Sequence, residues 1–270
     1  MPPRAGVFST LVLLLMSGCI APGAPSTNAD VRLATTTSMR DSGLLDVLVE
    51  QFEAESGLTV EYVAVGTGAA LNLGRNGDVD ALIVHAPDQE TTFVEDGYGL
   101  HRTQIAWNAF VLLSPVALPD SLDAALNFIV EEEHCFVSRG DNSGTHMKEQ
   151  ELWQRLAQGE NLTLVDNGNG LHPEGEWYHS IGQGMGAAIN MADEKACITL
   201  SDRGTALQFQ KHIDLTMHEF DDTSLYNPYS FLPVGSNLTP GVELFEAYLI
   251  GSGRSTIENY TINGEPAFFV

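Results

Sequence analysis

Two hydrophobic periods alternate along this chain. Val31, Leu33 and Ala34 sit in a short apolar run, and the hydroxyl-rich Thr35-Thr-Thr-Ser38 follows it. Leu44, Leu45, Leu48 and Phe52 then recur at helical spacing, with Asp41 and Ser42 as the expected caps and Gly57 as the expected stop. Residues 59–65 read as a second strand. Gly66-Thr-Gly68 turns into a short helix carrying Leu71 and Leu73, which ends near Gly77. Residues 80–84 make a third strand, and Pro87-Asp88 opens a helix running to about Glu95. This βαβαβ series implies right-handed crossovers and a mainly parallel sheet.

Residues 103–115 form a longer extended run that ends at Pro115 and is placed to leave the first lobe. A second series follows it: a strand at Phe136-Val137, a helix over 148–157 with Leu152, Trp153 and Leu156, and a strand over 162–165. A helix over 185–193 and a strand over 197–200 complete the series. Residues 226–234 read as a return crossing, and 242–250 as a helix packed back on the first lobe. The fold class is therefore α/β in two lobes, each a mainly parallel sheet flanked by helices, joined by two hinge crossings. Lobe I is expected over 31–113 and 223–270, and lobe II over 114–222. A ligand between such lobes is the default expectation, because open α/β sheets bind at the carboxyl ends of their strands.

Charge narrows the partners. The chain has 36 Asp plus Glu against 12 Lys plus Arg, a net charge of −24, and its only lysines are Lys148, Lys195 and Lys211. Such a surface argues against nucleic acid, whose phosphates demand Lys and Arg. It fits a halophile, in which charge keeps the protein dissolved. Residues 1–18 carry one charge, Arg4, ahead of an apolar run too short to span a bilayer, and read as a signal peptide. The ending Ser17-Gly18-Cys19 resembles a prokaryotic lipoprotein box, with Cys19 as the lipidated residue, although an ordinary secretory signal would look similar. Residues 19–30 read as a flexible tether to that anchor. The mature protein is then expected on the extracellular face of the cytoplasmic membrane. Cys135 and Cys197 remain, and a disulfide and two buried thiols are both open.

Three loops fall where strand passes to helix: Thr35–Ser38, Gly66–Gly68 and 138–145. All are rich in Gly, Ser and Thr. A helix start presents unpaired N–H groups and about half a positive charge, and glycine lets backbone approach a guest closely. Together these suit an oxyanion without bulk positive charge. Arg139 adds one planar guanidinium fork, with a strut to Asp141 or Asp202 as its alternative use. At molar salt the screening length is about 3 Å, so distant carboxylates matter little to such a site. No P-loop is present, Gly66-Thr-Gly68 lacks the third glycine of a dinucleotide fingerprint, and no His/Cys spacing suggests a metal. Ser143 and His146 beside Asp141 leave a secreted serine hydrolase as an alternative, although Ser143 is better placed as a helix cap and G-x-S-x-G is missing.

LATTTSMRDSGLLDVLVEQFEAESG, VGTGAALNLGRNGDVDALIVHAP, FVSRGDNSGTHMKEQELW, GQGMGAAINMADEKACITLSDRGT and YNPYSFLPV resemble, in this order, the tungstate-binding proteins of ABC importers. The resemblance implies a two-lobed periplasmic-binding-protein-like fold of type II. It implies a receptor, not an enzyme, that captures tungstate and delivers it to a membrane permease and its ATPase, with no cofactor and as a monomer. The ligand set it implies is Thr36, Thr37, Ser38, Gly66, Thr67, Arg139, Ser143, Gly144 and Thr145. Gln183 to Met185 are expected near the cleft. Molybdate, phosphate or another oxyanion is the alternative guest.

Overall fold

The structure, a computed structural model, describes residues 29–270 apart from 160, 161 and 167. The expected signal peptide, Cys19 and the tether as far as residue 28 lie outside the described residues. The first lobe opens with β1 (Val31–Thr36), α1 (Thr37–Asp41), α2 (Leu44–Ser56), β2 (Val60–Val65), α3 (Thr67–Asn76), β3 (Ala81–Val84) and α4 (Pro87–Glu95). The long β4 (Thr103–Ser114) leaves it. The second lobe then runs through α5 (Leu122–Glu131), β5 (Phe136–Ser138), α6 (Gly144–Gly159), β6 (Leu164–Asp166), β7 (Leu171–Pro173) and β8 (Tyr178–Ser180). It continues with α7 (Met185–Lys195), β9 (Ile198–Asp202), α8 (Arg203–Phe209) and β10 (Thr216–His218). β11 (Tyr226–Pro233) returns, and α9 (Pro240–Ile250), α10 (Ser252–Glu258) and the hairpin β12 (Thr261–Ile262) and β13 (Glu265–Pro266) end the chain.

One sheet carries both lobes, in the order β2-β1-β3-β11-β4-β9-β5-β8, with β10 also on β4. β1 is parallel to β2 and β3, and β5 is parallel to β8 and β9. The crossings β4 and β11 are antiparallel to each other and to their neighbours. β4 serves both halves: its first part pairs with β11, and Phe110 to Leu113 pair with β9. Each half is covered on both faces. In the first, α2 and α9 bury Leu45, Leu48, Phe52, Phe245 and Leu249 on one side, and α3 and α4 bury Leu71 and Phe93 on the other. In the second, Leu126, Ile129 and Trp153 lie on one side and Met185, Ile189 and Ala206 on the other. A fully buried Leu or Phe contributes about 1.5–3 kcal/mol, so these two pairs of layers fix the direction of every strand end.

Several elements differ from the expectations. β1 extends through Thr36, whose hydroxyl caps a separate five-residue helix, α1. α2 is capped by neither Asp41 nor Ser42: its N-cap is Gly43, at φ 79°, and Ser42 Oγ accepts from Leu44 N at 3.4 Å. Gly57 stops α2 as expected. α6 begins four residues earlier than the apolar period suggests, because the polar Gly144-Thr145-His146 turn is already helical and buried. The strand expected over 162–165 is β6, which pairs only with β7 in a small hairpin outside the main sheet. α5, β7, β8, α8, β10, α10, β12 and β13 were not expected from the sequence pattern.

β5 and β9 are adjacent, and Cys135 and Cys197, each just ahead of its strand, form a disulfide with Cα atoms 4.6 Å apart. The bridge closes a span of 62 residues. Replacing both cysteines by serine should lower the unfolding free energy by about 2–4 kcal/mol. Denaturant unfolding of the oxidised protein and the double variant measures this, and an unchanged midpoint would show that the bridge contributes nothing.

Candidate anion-binding site

Sheet register brings the expected loops together. Thr36 is opposite Val65, so Gly66 and Thr67 emerge beside Thr37 and Ser38. Thr35 is opposite Ile83, so His85 emerges on their other side. In the second half Val137 is opposite Thr199, so Arg139 emerges beside the end of β9. These carboxyl ends meet over the middle of the two crossings, where Asn227 of β11 lies opposite Asn108 of β4.

Three helix starts face this point. Thr36 Oγ1 accepts from Met39 N at the start of α1, while Thr37 is half-buried and Ser38 is buried. Gly66 is the N-cap of α3, and Thr67 is its first residue. Ser143 caps α6: its Oγ accepts from His146 N at 3.3 Å and its carbonyl from Met147 N at 2.9 Å. Gly144 and Thr145 open that helix. Thr67 Oγ1 and Thr145 Oγ1, one from each half, are buried and have no hydrogen-bond partner in the protein. Leaving a buried hydroxyl unpaired costs about 1–3 kcal/mol, so both atoms are suited to a guest acceptor.

Arg139 is 3% exposed and pairs with Asp141, its Nη2 lying 2.6 Å from Asp141 Oδ2. Asp141 Oδ1 accepts from Ser143 N at 3.2 Å. Arg139 is thus a strut in the turn. Gly140, at φ 60°, and the bond from Gln183 N to Arg139 O at 3.0 Å hold its backbone. The Gln183–Met185 segment therefore supports the arginine from behind, with Gln183 exposed and Met185 in the core. The hydrolase geometry is not formed. Ser143 Oγ serves the His146 amide, His146 Nδ1 accepts from Asn142 N at 3.1 Å, and Asp141 is committed to Arg139.

The sequence reading missed the residue at the centre. His85, fully buried, has Nε2 3.2 Å from Ser38 Oγ and Nδ1 2.8 Å from Asn227 Oδ1. Its ring stacks on Tyr229 at 4.8 Å. Gly144 packs on its edge: a methyl group at 144 would sit 3.0 Å from His85 Cε1. His85 thereby touches the first-half loop, the second-half helix start and a crossing strand. Burial pulls its pKa down to about 4, the Asn227 bond opposes this and the Arg139 charge adds to it. Asn227 Nδ2 continues the chain to Asn108 Oδ1 at 2.8 Å and to Tyr229 OH at 3.3 Å. Asn108 Nδ2 faces the Asp202 carboxylate without closing an aligned bond. Asp202 caps α8 through Thr205 N at 3.0 Å. Burial raises its pKa, and Thr205, Arg139 and Asn108 work against that. A clue to His85 was in the chain: Val84-His85-Ala86-Pro87 is a strand-to-helix junction like the three that were read.

A cleft of about 730 Å³ opens beside this cluster, lined by His85 to Gln89 at the head of α4, by one face of α6 from Gly144 to Gln158, and by Tyr226 to Pro228. Of the nine expected site residues Gly144 alone lines it; seven of the others are buried or half-buried deeper at the strand ends. The eighth, Arg139, lies equally deep. Among the described residues no group of three or more His, Cys, Asp or Glu could hold a metal ion, and no helix is long and apolar enough to cross a membrane.

Behind Arg139, Glu149 of α6 is buried and accepts from Tyr178 OH at 2.6 Å and Trp153 Nε1 at 3.1 Å. Burial pushes its pKa up to about 7 from a usual value near 4.5, against the pull of the Tyr178, Ser138 and Trp153 bonds. The folded state holds this proton longer than the unfolded chain does. Stability therefore falls as pH rises from about 4.5 to about 7, and the loss is complete above that. Glu149→Gln, whose amide oxygen still accepts from Tyr178 and Trp153, should reduce that fall by a few kcal/mol at most. Denaturant midpoints below and above neutrality check it, and equal pH slopes in variant and wild type would refute it.

Residues 22–252 match a model described as a PBP superfamily domain. A tungstate-binding protein, TupA, of Peptoclostridium acidaminophilum is 36% identical over 93% of this chain and 90% of its own length. A putative ABC transporter anion-binding protein of Haloferax volcanii is 38% identical over 94% of this chain and 75% of its own. The solved structure of the tungstate-binding protein TupA from Desulfovibrio alaskensis G20 superposes with a TM-score of 0.71 at 36% identity, covering 87% of this chain and 96% of that one.

Proposed function

The chain belongs to the PBP superfamily and, within it, to the tungstate-binding proteins of ABC importers, and from that premise we propose that it captures tungstate between its two lobes and delivers it to an ABC permease and its ATPase. The observation that carries the site is the pair of buried, partnerless hydroxyls, Thr67 Oγ1 and Thr145 Oγ1, one from each half, beside the starts of α3 and α6. Thr36, Thr37 and Ser38 supply the start of α1, Gly66 and Thr67 that of α3, and Ser143, Gly144 and Thr145 that of α6. Arg139 adds the formal positive charge. No bond in the guest is made or broken, and solute-binding proteins of this family are not enzymes.

In this reading lobe I is 31–113 with 223–270 and lobe II is 114–222. The lobes hinge about β4 and β11, and the guest favours closure through contacts made only in the shut state. A lipid on Cys19 and the tether behind it would hold this monomeric receptor at the outer face of the membrane, beside its permease.

Isothermal titration with tungstate, molybdate, sulfate and phosphate tests the reading. Tungstate should bind below micromolar, about −8 kcal/mol or better, with phosphate much weaker. Tight phosphate binding with weak tungstate binding would overturn it. Thr67→Val and Thr145→Val should each weaken tungstate by about 1.5–3 kcal/mol, the worth of a hydrogen bond to a charged group. Their ligand-free stability should be unchanged or higher, because neither hydroxyl has a partner to lose. Full tungstate affinity in both valine variants would remove these loops from the site.

A further inference from the structure

The hydrogen bonds that run from the Thr36–Ser38 loop across the crossings have a direction. Asn108 Oδ1 receives Asn227 Nδ2 at 2.8 Å, and its own amide nitrogen lies toward Asp202 without closing a hydrogen bond. Asn227 Oδ1 is then the atom that meets His85, and an amide oxygen only accepts, so His85 Nδ1 carries the hydrogen. A neutral imidazole protonated at Nδ1 has a bare Nε2. That nitrogen accepts from Ser38 Oγ at 3.2 Å, and Ser38 Oγ accepts in turn from Thr36 Oγ1 at 3.1 Å. Both hydroxyl hydrogens therefore point along the chain toward His85. Ser38, which also lies by the Tyr229 hydroxyl, then has no hydrogen left for an oxyanion.

Charge presents the same difficulty. The guanidinium of Arg139 is already paired with Asp141, and Asp202 lies close by. Burying a doubly negative guest here leaves negative charge in excess, which is costly away from water. A single proton on His85 Nε2 answers both problems. It supplies a cation, and it turns the imidazole into a donor to Ser38 Oγ, which frees the Ser38 hydrogen to swing to the guest.

We propose that His85 takes up one proton from the solvent when the oxyanion is captured, and so converts Ser38 from a donor to His85 into a donor to the guest. The inference rests on the receptor reading above. The charged and titratable groups facing His85 divide clearly. Arg139 opposes the proton, and the doubly negative guest favours it. Asp141 is neutralised by Arg139, Glu90 of α4 is held by Arg102 and the amide of Ala86, and Tyr229 meets the ring face. His146 on α6 accepts from the Asn142 amide, and burial pulls its pKa down. In the free protein burial keeps His85 neutral at physiological pH, so the proton arrives with the guest.

Calorimetry of the full chain with tungstate, in two buffers of different ionisation enthalpy, counts the proton. About one proton should enter per guest, and the apparent affinity should fall by up to about tenfold per pH unit as pH rises through neutrality. His85→Gln should abolish the uptake and flatten the pH profile. Glu149→Gln, which removes a buried carboxyl whose pKa lies at about 7, should leave the uptake intact. Tungstate binding by wild type without proton exchange would overturn the proposal, as would uptake that survives His85→Gln or vanishes in Glu149→Gln. If His85→Gln does not fold, the imidazole ¹⁵N shifts of the wild type decide. Nε2 should change from bare to protonated on adding tungstate, and an unchanged shift refutes the idea. Failure of wild type to bind tungstate at all would instead strike the receptor reading.

Discussion

A parallel strand must end where its helix begins, and every helix begins with amides that its own turns cannot satisfy. That constraint governs this molecule. β1, β2 and β3 end at one edge of the first half of the sheet, and β5 and β9 end at the edge of the second that faces it. The starts of α1, α3 and α6 therefore gather over β4 and β11, with their unpaired N–H groups and partial positive charge turned inward. A site built this way needs no cluster of lysines. The protein can carry 36 acids against 12 basic residues and still offer an anion a field of donors in direct contact.

The same geometry separates a covalent support from polar ones. Cys135 and Cys197 lie at the amino ends of β5 and β9, away from the site, and staple the second half where no guest arrives. At the carboxyl ends the supports are polar. Asp141 holds Arg139 in a buried pair, whose loss would strand a charge at a cost of several kcal/mol. The His85–Asn227–Asn108 chain fixes side-chain orientation across both crossings. A buried network of this kind is stable only when its members are satisfied. Thr67 Oγ1 and Thr145 Oγ1, at the starts of α3 and α6, stand with Asn108 Nδ2 and Thr205 Oγ1 among the buried polar atoms that no protein group satisfies.

Much of this could be read from the chain, and the limits have physical causes. Leu44, Leu45, Leu48 and Phe52 at helical spacing, and Gly57 in the left-handed conformation, gave α2 its face and its end. The glycine–hydroxyl loops were legible because helix starts favour a few residue types. α5 was equally legible, with Ser121 as cap and Leu122, Ala125, Leu126 and Ile129 on one face, but the reading passed over it. β7, β8 and β10 are three residues each, too short for any period to show. His85 was hidden for a different reason. Its partners Ser38 and Asn227 lie 47 and 142 residues away, and only the pairing of β3 with β1 and β11 brings them into contact. Single-residue chemistry can mark a loop, but not a contact that depends on strand order.

Gly144 shows how closely the two halves are packed. It is the first residue of α6, and a Cβ there would press on both the ring and the carbonyl of His85, at 3.0 and 3.1 Å. Any side chain would hold the helix start away from the first lobe. Hydrogen bonds from helix amides weaken steeply with distance and angle, so in the proposed receptor even a small retreat would weaken the second half's hold on a guest. The glycine is therefore a fit requirement between lobes. Its φ lies outside the positive range, so no backbone demand explains it. Two surfaces therefore meet here without a side chain between them, and His85 is the first-half residue on which Gly144 packs.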